Sequence, residues 1–156
     1  MDGASSRREF LRAVGTVAAA GAVSLVAVEP GRATPASMQQ AIAKVVGAAR
    51  LSPGRVTLEL PPLSENGNLV PLVVSVESPM TAADHVRAIH VFTEKNPQPD
   101  VASFRFGPRA GRARVATRIR LADTQSVTAV AELSDGSFWS ASATVVVTLA
   151  ACLEDA

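Results

Sequence analysis

Tyrosine is missing from these 156 residues, and aromatic side chains make up only 4% of them. A core without large rings must be built from Val, Ala, Leu and Ile, a composition that leans toward the pleated, half-buried surface of strands. Cysteine occurs once, at position 152. A single thiol cannot close an internal disulfide, nor can it make a cysteine-rich metal site. Histidine occurs twice, as His85 and His90. Five residues apart on an expected strand, the two imidazoles point to opposite faces and cannot chelate one metal ion together, so one surface ring and one partly buried ring are expected. No Gly-rich phosphate loop, no HExxH and no CxxC is present. No catalytic residue, metal ligand or cofactor is therefore expected.

An excess of charge is lacking too. Charged residues are 19% of the chain against 47% hydrophobic, the apolar content of one folded domain rather than of a disordered chain. The 15 basic residues are offset by 14 acidic ones, and much of the small surplus sits at the front. There "SRREFLR" (6–12) sets Arg7 and Arg8 before Phe10 and Leu11, and an uncharged stretch runs from Ala13 to Val28. A basic region followed by an apolar stretch of this length, rich in Ala and Gly, reads as an export leader rather than a membrane span. The paired arginines resemble the twin-arginine signal of bacteria. Gly31 and Ala33 place cleavage before Thr34, so that residues 1–33 are a leader and the rest is expected in the periplasm, with no membrane contact once the leader is removed. An uncleaved N-terminal anchor is the alternative. Removing 1–33 takes away four arginines and three acids and leaves 11 basic and 11 acidic side chains. A neutral chain argues against a nucleic-acid partner.

The expected domain runs from 34 to 149. Ser37 is a candidate N-cap for a helix with apolar residues at Met38, Ile42, Val45 and Val46, stopped by Leu51-Ser52-Pro53-Gly54. From Arg55 the period changes to two. "RVTLEL", "NLVPLVVSVE", "HVRAIHVFTE", "VASFRFG", "GRARVATRIRLA", "QSVTAVAELS" and "SFWSASATVVVTLA" read as strands, separated by turn signals such as Glu65-Asn66-Gly67-Asn68 and Asp135-Gly136. Seven half-apolar strands about ten residues apart predict an all-β, immunoglobulin-like antiparallel sandwich with one N-terminal helix.

Two features of that pattern carry chemistry. Arg112, Arg114, Arg118 and Arg120 alternate with Ala113, Val115, Thr117, Ile119 and Leu121. That arginine face suits an anion or an acidic partner surface, and equally a solvated face that guards against edge-to-edge aggregation. Phe138 and Trp139 are strand neighbours facing opposite ways, so an interface aromatic and two core aromatics are both open readings.

Cys152 stands four residues from the end. Burial is the usual fate of a free cysteine, but a chain end is mobile unless docked. Beyond the last strand, Ala150 and Ala151 offer little to pack, so residues 150–156 read as a tether that carries a thiol to other proteins. No base or orienting acid is recognisable for the thiol, which argues against a thiol enzyme.

The run from "SPMTAADHVRAIHVFTEKNPQPD" through "SATVVVT", followed by a near-terminal Cys, resembles the SoxY family, sulfur carriers of the periplasmic thiosulfate-oxidising Sox system. The resemblance covers essentially the whole chain after the leader. It implies an immunoglobulin-like, non-catalytic carrier paired with SoxZ. It also implies that Cys152 is joined to thiosulfate as a cysteine S-conjugate by the haem protein SoxAX, and that the bound sulfur is then processed by SoxB and SoxCD. Where the family arm reads Gly-Gly-Cys-Gly-Gly, this chain has Ala150-Ala151-Cys152-Leu153-Glu154-Asp155-Ala156. The alanines lose the positive-φ freedom of a glycine hinge. The nearby carboxylates disfavour a thiolate and repel a dianion. A structural or binding module whose cysteine is unloaded or disulfide-linked to another chain, or a divergent paralogue, is the alternative.

Overall fold

The helix that opens the domain is built from its cap outward. In the computed structural model, which describes residues 31–150, α1 spans Pro35–Val46. The leader segment at 1–30 and the stretch 151–156, with Ala151 and Cys152, lie outside the described residues. The N-cap is Thr34, not Ser37. Thr34 is extended, its hydroxyl accepts from the Ser37 N–H at 3.1 Å, and the Ser37 hydroxyl accepts from the Thr34 N–H at 2.7 Å. Pro35 explains the earlier start, since the first helical position needs no N–H and the fixed φ of proline is already helical. Gly47, at φ 62°, ends the helix with its N–H on the Ala43 carbonyl at 2.8 Å. One stripe, Met38, Ile42 and Val46, is buried.

The alternating segments form nine strands among the described residues: β1 (Leu51–Pro53), β2 (Val56–Glu59), β3 (Leu63–Ser64), β4 (Val70–Val76), β5 (Val86–Thr93), β6 (Asp100–Arg105), β7 (Ala113–Ile119), β8 (Gln125–Leu133) and β9 (Phe138–Val147). One sheet has the order β1-β9-β8-β5-β6, with β3 also on β9; the other is β2-β4-β7. All seven expected strands are present. The two additions, β1 and β3, pair parallel with the start and the end of β9, Leu51 opposite Phe138 and Leu63 opposite Val146. Both sit in proline-marked stretches that read as breakers, and each is too short to show a period.

The two sheets close on an aliphatic core. Val70, Leu72 and Val74 of β4 meet Val86, Ile89 and Val91 of β5, and Val127, Ala129, Ala131 and Leu133 of β8, all fully buried. Burying each Val, Leu or Ile is worth about 1.5–3 kcal/mol, which is how a chain with so few rings holds together. On its other face the larger sheet receives α1, where Met38, Ile42 and Val46 pack on Phe92, Val130 and Phe138. That third layer explains why β8 is buried along most of its length instead of alternating. Phe138 and Trp139 do face opposite ways, and both pack. Phe138 lies under the helix; Trp139 is half-buried against the inter-sheet core, with the Arg55 guanidinium 5.4 Å from its ring centroid. No helix among the described residues is long and apolar enough to cross a membrane.

Candidate functional site: the root of the C-terminal arm

β9 brings the chain to its arm, and its last residues are fastened from three sides. Val145 and Val147 point into the core. The Val146 N–H donates to the Pro62 carbonyl at 2.9 Å, and the Thr148 N–H to the Ser64 carbonyl at 3.1 Å, so β3 acts as a short splint along the strand end. The Val147 N–H donates to Thr124 Oγ1 at 2.9 Å. Gly67 then closes the set. Its N–H donates to the Leu149 carbonyl at 2.8 Å, while its own carbonyl accepts from the Leu121 N–H at 2.8 Å. One buried glycine thus ties the end of β9 to the chain just beyond β7. The turn that presents it is fixed by Asn66, whose Oδ1 accepts from the Asn68 N–H at 2.9 Å.

Ala150, the last described residue, is exposed, and the Leu149 carbonyl is the last of these fastenings. Cys152 follows three residues later, a span of at most about 10 Å of fully extended chain. Around the root stand exposed aliphatic side chains: Leu63 and Val146, opposite one another on paired strands and 52% and 45% exposed, and Leu149, 69% exposed. Sequence reasoning missed Gly67, Ser64 and Thr124 as fastenings. The signal was present in Glu65-Asn66-Gly67-Asn68, which reads as an ordinary hairpin turn because nothing local announces its two long-range bonds.

The arginine strand lies where its alternation put it. Arg112, Arg114, Arg118 and Arg120 are exposed, and Ala113, Ile119 and Leu121 are buried. β7 is an edge strand, with Arg114 opposite Ser75 and Arg118 opposite Pro71 on β4. Neither of the described ion pairs, Arg87–Glu132 at 3.3 Å and Lys95–Asp123 at 3.1 Å, uses them. Asp123, held below the usual carboxylate range by the hydrogen bond from Lys95, is already committed.

The two histidines serve different neighbours. His85 Nδ1 lies 3.0 Å from the Thr81 carbonyl, and His90 Nδ1 lies 2.8 Å from Ser103 Oγ. The His90 ring stacks at 6.3 Å on Phe92 and its Nε2 is buried without a partner. Burial pulls its pKa below 6.5, against the opposing pull of Asp100 and Glu132. Among the described residues no group of three or more His, Cys, Asp or Glu is placed to hold a metal ion.

What this arrangement offers chemically is a rigid platform that ends in a short thiol-bearing segment. Among curated proteins none matches. The solved structure of the sulfur carrier protein SoxY from Chlorobium limicola f thiosulfatophilum is 30% identical, with a TM-score of 0.62 over 73% of this chain and 98% of that one. Superoxide reductase (neelaredoxin) from Ignicoccus hospitalis, at 20% identity and a TM-score of 0.55 over 74% of this chain and 94% of its own, shares the fold alone, as does a Thermotoga maritima structure described as a putative superoxide reductase, at 21% and 0.52 over 64% and 93%. The family profile described as "Sulfur oxidation protein SoxY" matches residues 42–152, from the middle of α1 to the cysteine itself. With most of its length inside that match, the chain belongs to the SoxY family.

Proposed function

We propose that the protein is a periplasmic sulfur carrier that holds thiosulfate-derived groups covalently on Cys152 and presents them to the Sox enzymes, without catalysing a step itself. The family match and the sulfur-carrier neighbour support the carrier role. The observation that carries the finer reading is the fastening of β9 up to the Leu149 carbonyl, three residues before the thiol. A carrier needs a fixed base and a short reach, so that its cargo is found at a defined place on a defined surface.

Loading joins the Cys152 sulfur to the outer sulfur of thiosulfate. The thiol loses its proton and two electrons leave, accepted by the haem protein SoxAX, and the product is Cys–S–S–SO3⁻. Water then replaces the outer sulfonate, releasing sulfate and leaving a persulfide, the step assigned to SoxB; SoxCD oxidises the remaining sulfur. SoxZ is the partner subunit. The chain's own residues contribute the platform, the reach and the nucleophilic atom. Export by the twin-arginine leader places the thiol in the compartment of these partners.

Mass spectrometry of the protein isolated from thiosulfate-grown cells, before and after reduction, tests the reading. An adduct on Cys152 that matches bound thiosulfate or its sulfur, and is absent from Cys152→Ser, is expected. A bare thiol under turnover, or a Cys152 disulfide to another chain that thiosulfate does not displace, would refute it.

A further inference from the structure

From Val101 to Ala122 the chain contains six arginines and no acidic residue. All six are exposed: Arg105 ends β6, Arg109 and Arg112 lie in the following loop, and Arg114, Arg118 and Arg120 run along and past β7. β6 and β7 are consecutive and each is an edge of its sheet, so the loop that carries Arg109 and Arg112 leads straight to Arg114 and Arg118 on the edge of the small sheet. The register shows the surface they border. Residues directly opposite on paired strands share a face, so the outer face of the small sheet reads Thr57–Ser75–Arg114, then Glu59–Val73–Ala116, then Pro71–Arg118. Apart from the arginines its side chains are short or carry no charge, and its one carboxylate, Glu59, lies two strands away from them. The patch reaches the arm root, since the residue after Arg120 is Leu121, bonded through Gly67 to Leu149.

We propose that this side is the docking surface for an acidic protein that visits the arm. Arg114 and Arg118 are four strand residues apart, about 13 Å, and Arg112 to Arg120 is about 26 Å. That spacing is far too wide for one small anion and fits carboxylates spread over a protein surface. A nucleic acid is disfavoured because the chain beyond the leader is neutral and the aromatic residues of this stretch, Phe104 and Phe106, pack toward the core instead of offering stacking surfaces. Exposed arginines that stand opposite Ser75 and Pro71, with Ala116 between them, suit a reversible partner, captured by long-range attraction and released quickly, rather than a permanent subunit interface, which is apolar at its centre. The inference rests on the carrier reading for the identity of its visitors.

The test is surface plasmon resonance of the mature protein, with its SoxZ subunit, against purified SoxAX, SoxB and SoxCD. At least one should bind with an affinity that falls about ten-fold between 50 and 200 mM salt. Arg114→Glu with Arg118→Glu should weaken that binding about ten-fold or more. The same charge change on and just after the helix, Lys44→Glu with Arg50→Glu, should leave it unchanged. Arg114→Gln with Arg118→Gln, which removes charge without reversing it, should give an intermediate loss and guards against misfolding of the double Glu variant. Cys152→Ser should still bind, which separates this surface from the loading chemistry. Salt-insensitive binding, no binding to any of the three, binding by the Arg114→Glu, Arg118→Glu variant equal to wild type, or tighter binding to a 20-residue oligothymidylate would overturn the proposal. Absence of a Cys152 adduct, read separately, would refute the carrier role and not this surface.

Discussion

The backbone N–H of Gly67 donates to the carbonyl of Leu149 at 2.8 Å, across 82 residues of chain, and fastens the described chain just before Ala150. Thr148, one residue earlier, donates to Ser64. Amide hydrogen exchange should therefore show strong protection at Gly67 and Thr148, falling abruptly at Ala150. Gradual fraying from Val145 onward would show that the root is not held as described.

Thr124 supports the same root from the other side. Its hydroxyl accepts the Val147 N–H at 2.9 Å. Thr124→Val keeps the shape and removes the acceptor, which leaves an inward strand N–H without a partner and costs about 1–3 kcal/mol. Thermal unfolding should show the loss, and Thr124→Ser should restore most of it.

Asn96 and Gln125 each make three side-chain hydrogen bonds among the described residues. The Oδ1 of Asn96 accepts from the Ala122 N–H at 3.0 Å and from Gln125 Nε2 at 2.9 Å, and its Nδ2 donates to the Arg120 carbonyl at 2.8 Å. Its backbone carbonyl also takes the Ala33 N–H at 2.8 Å, which ties the residues before α1 to the end of the arginine strand. Asn96→Ala strands several buried groups at once and should cost about 3 kcal/mol or more, read as a lowered urea midpoint with an unchanged slope. Asn96→Asp, which keeps the acceptor and loses the donor, should fall between.

The network also shows where sequence reading stops. Lys95-Asn96-Pro97 is legible as a turn, because Asn and Pro favour turns for local reasons. That Asn96 Oδ1 reaches Gln125 is a consequence of which loops the sheets bring together, and no local pattern carries it. The seven longer strands and the arginine alternation were legible because a two-residue period repeats over four to ten positions. β1 and β3 were not, because two or three residues beside prolines have no period, and their pairing is dictated by β9. The helix was placed correctly and its cap misplaced by three residues, since Thr34 and Ser37 are both cap-forming and only Pro35 separates the cases. The exposure of the arginine face was legible from residue type and alternation alone, whereas Cys152 lies outside the described residues.

The residues that flank the thiol make their own prediction. Glu154 and Asp155 are close to Cys152 along the chain, and negative charge raises a thiol pKa by opposing the thiolate. Glu154→Gln with Asp155→Asn should lower the pH midpoint of Cys152 alkylation and speed its alkylation by the anion iodoacetate, more at low salt than at high. Ala150→Gly with Ala151→Gly should leave that midpoint unchanged and speed delivery to the enzymes instead, by restoring backbone freedom to the arm. Equal effects on both readouts from both variants would mean that charge and freedom are not separable here.

His90 sets the acid limit of the fold. Its pKa lies below the ordinary 6.5 because burial disfavours the charged ring. The buried Nε2 has no partner, so a ring charged on both nitrogens carries a buried N–H without an acceptor. The unfolded chain then binds the proton more readily than the folded one, and stability must fall as pH drops from about 6.5 toward the folded-state pKa, with the full contribution present above 6.5. Thermal midpoints measured between pH 7.5 and 5 should decline over that window for the wild-type protein. His90→Gln, which keeps a polar group near Ser103 and cannot titrate, should flatten the decline while lowering the midpoint modestly at pH 7.5. A decline of the same depth in the variant would place the acid sensitivity elsewhere, with the carboxylates as the next groups to test.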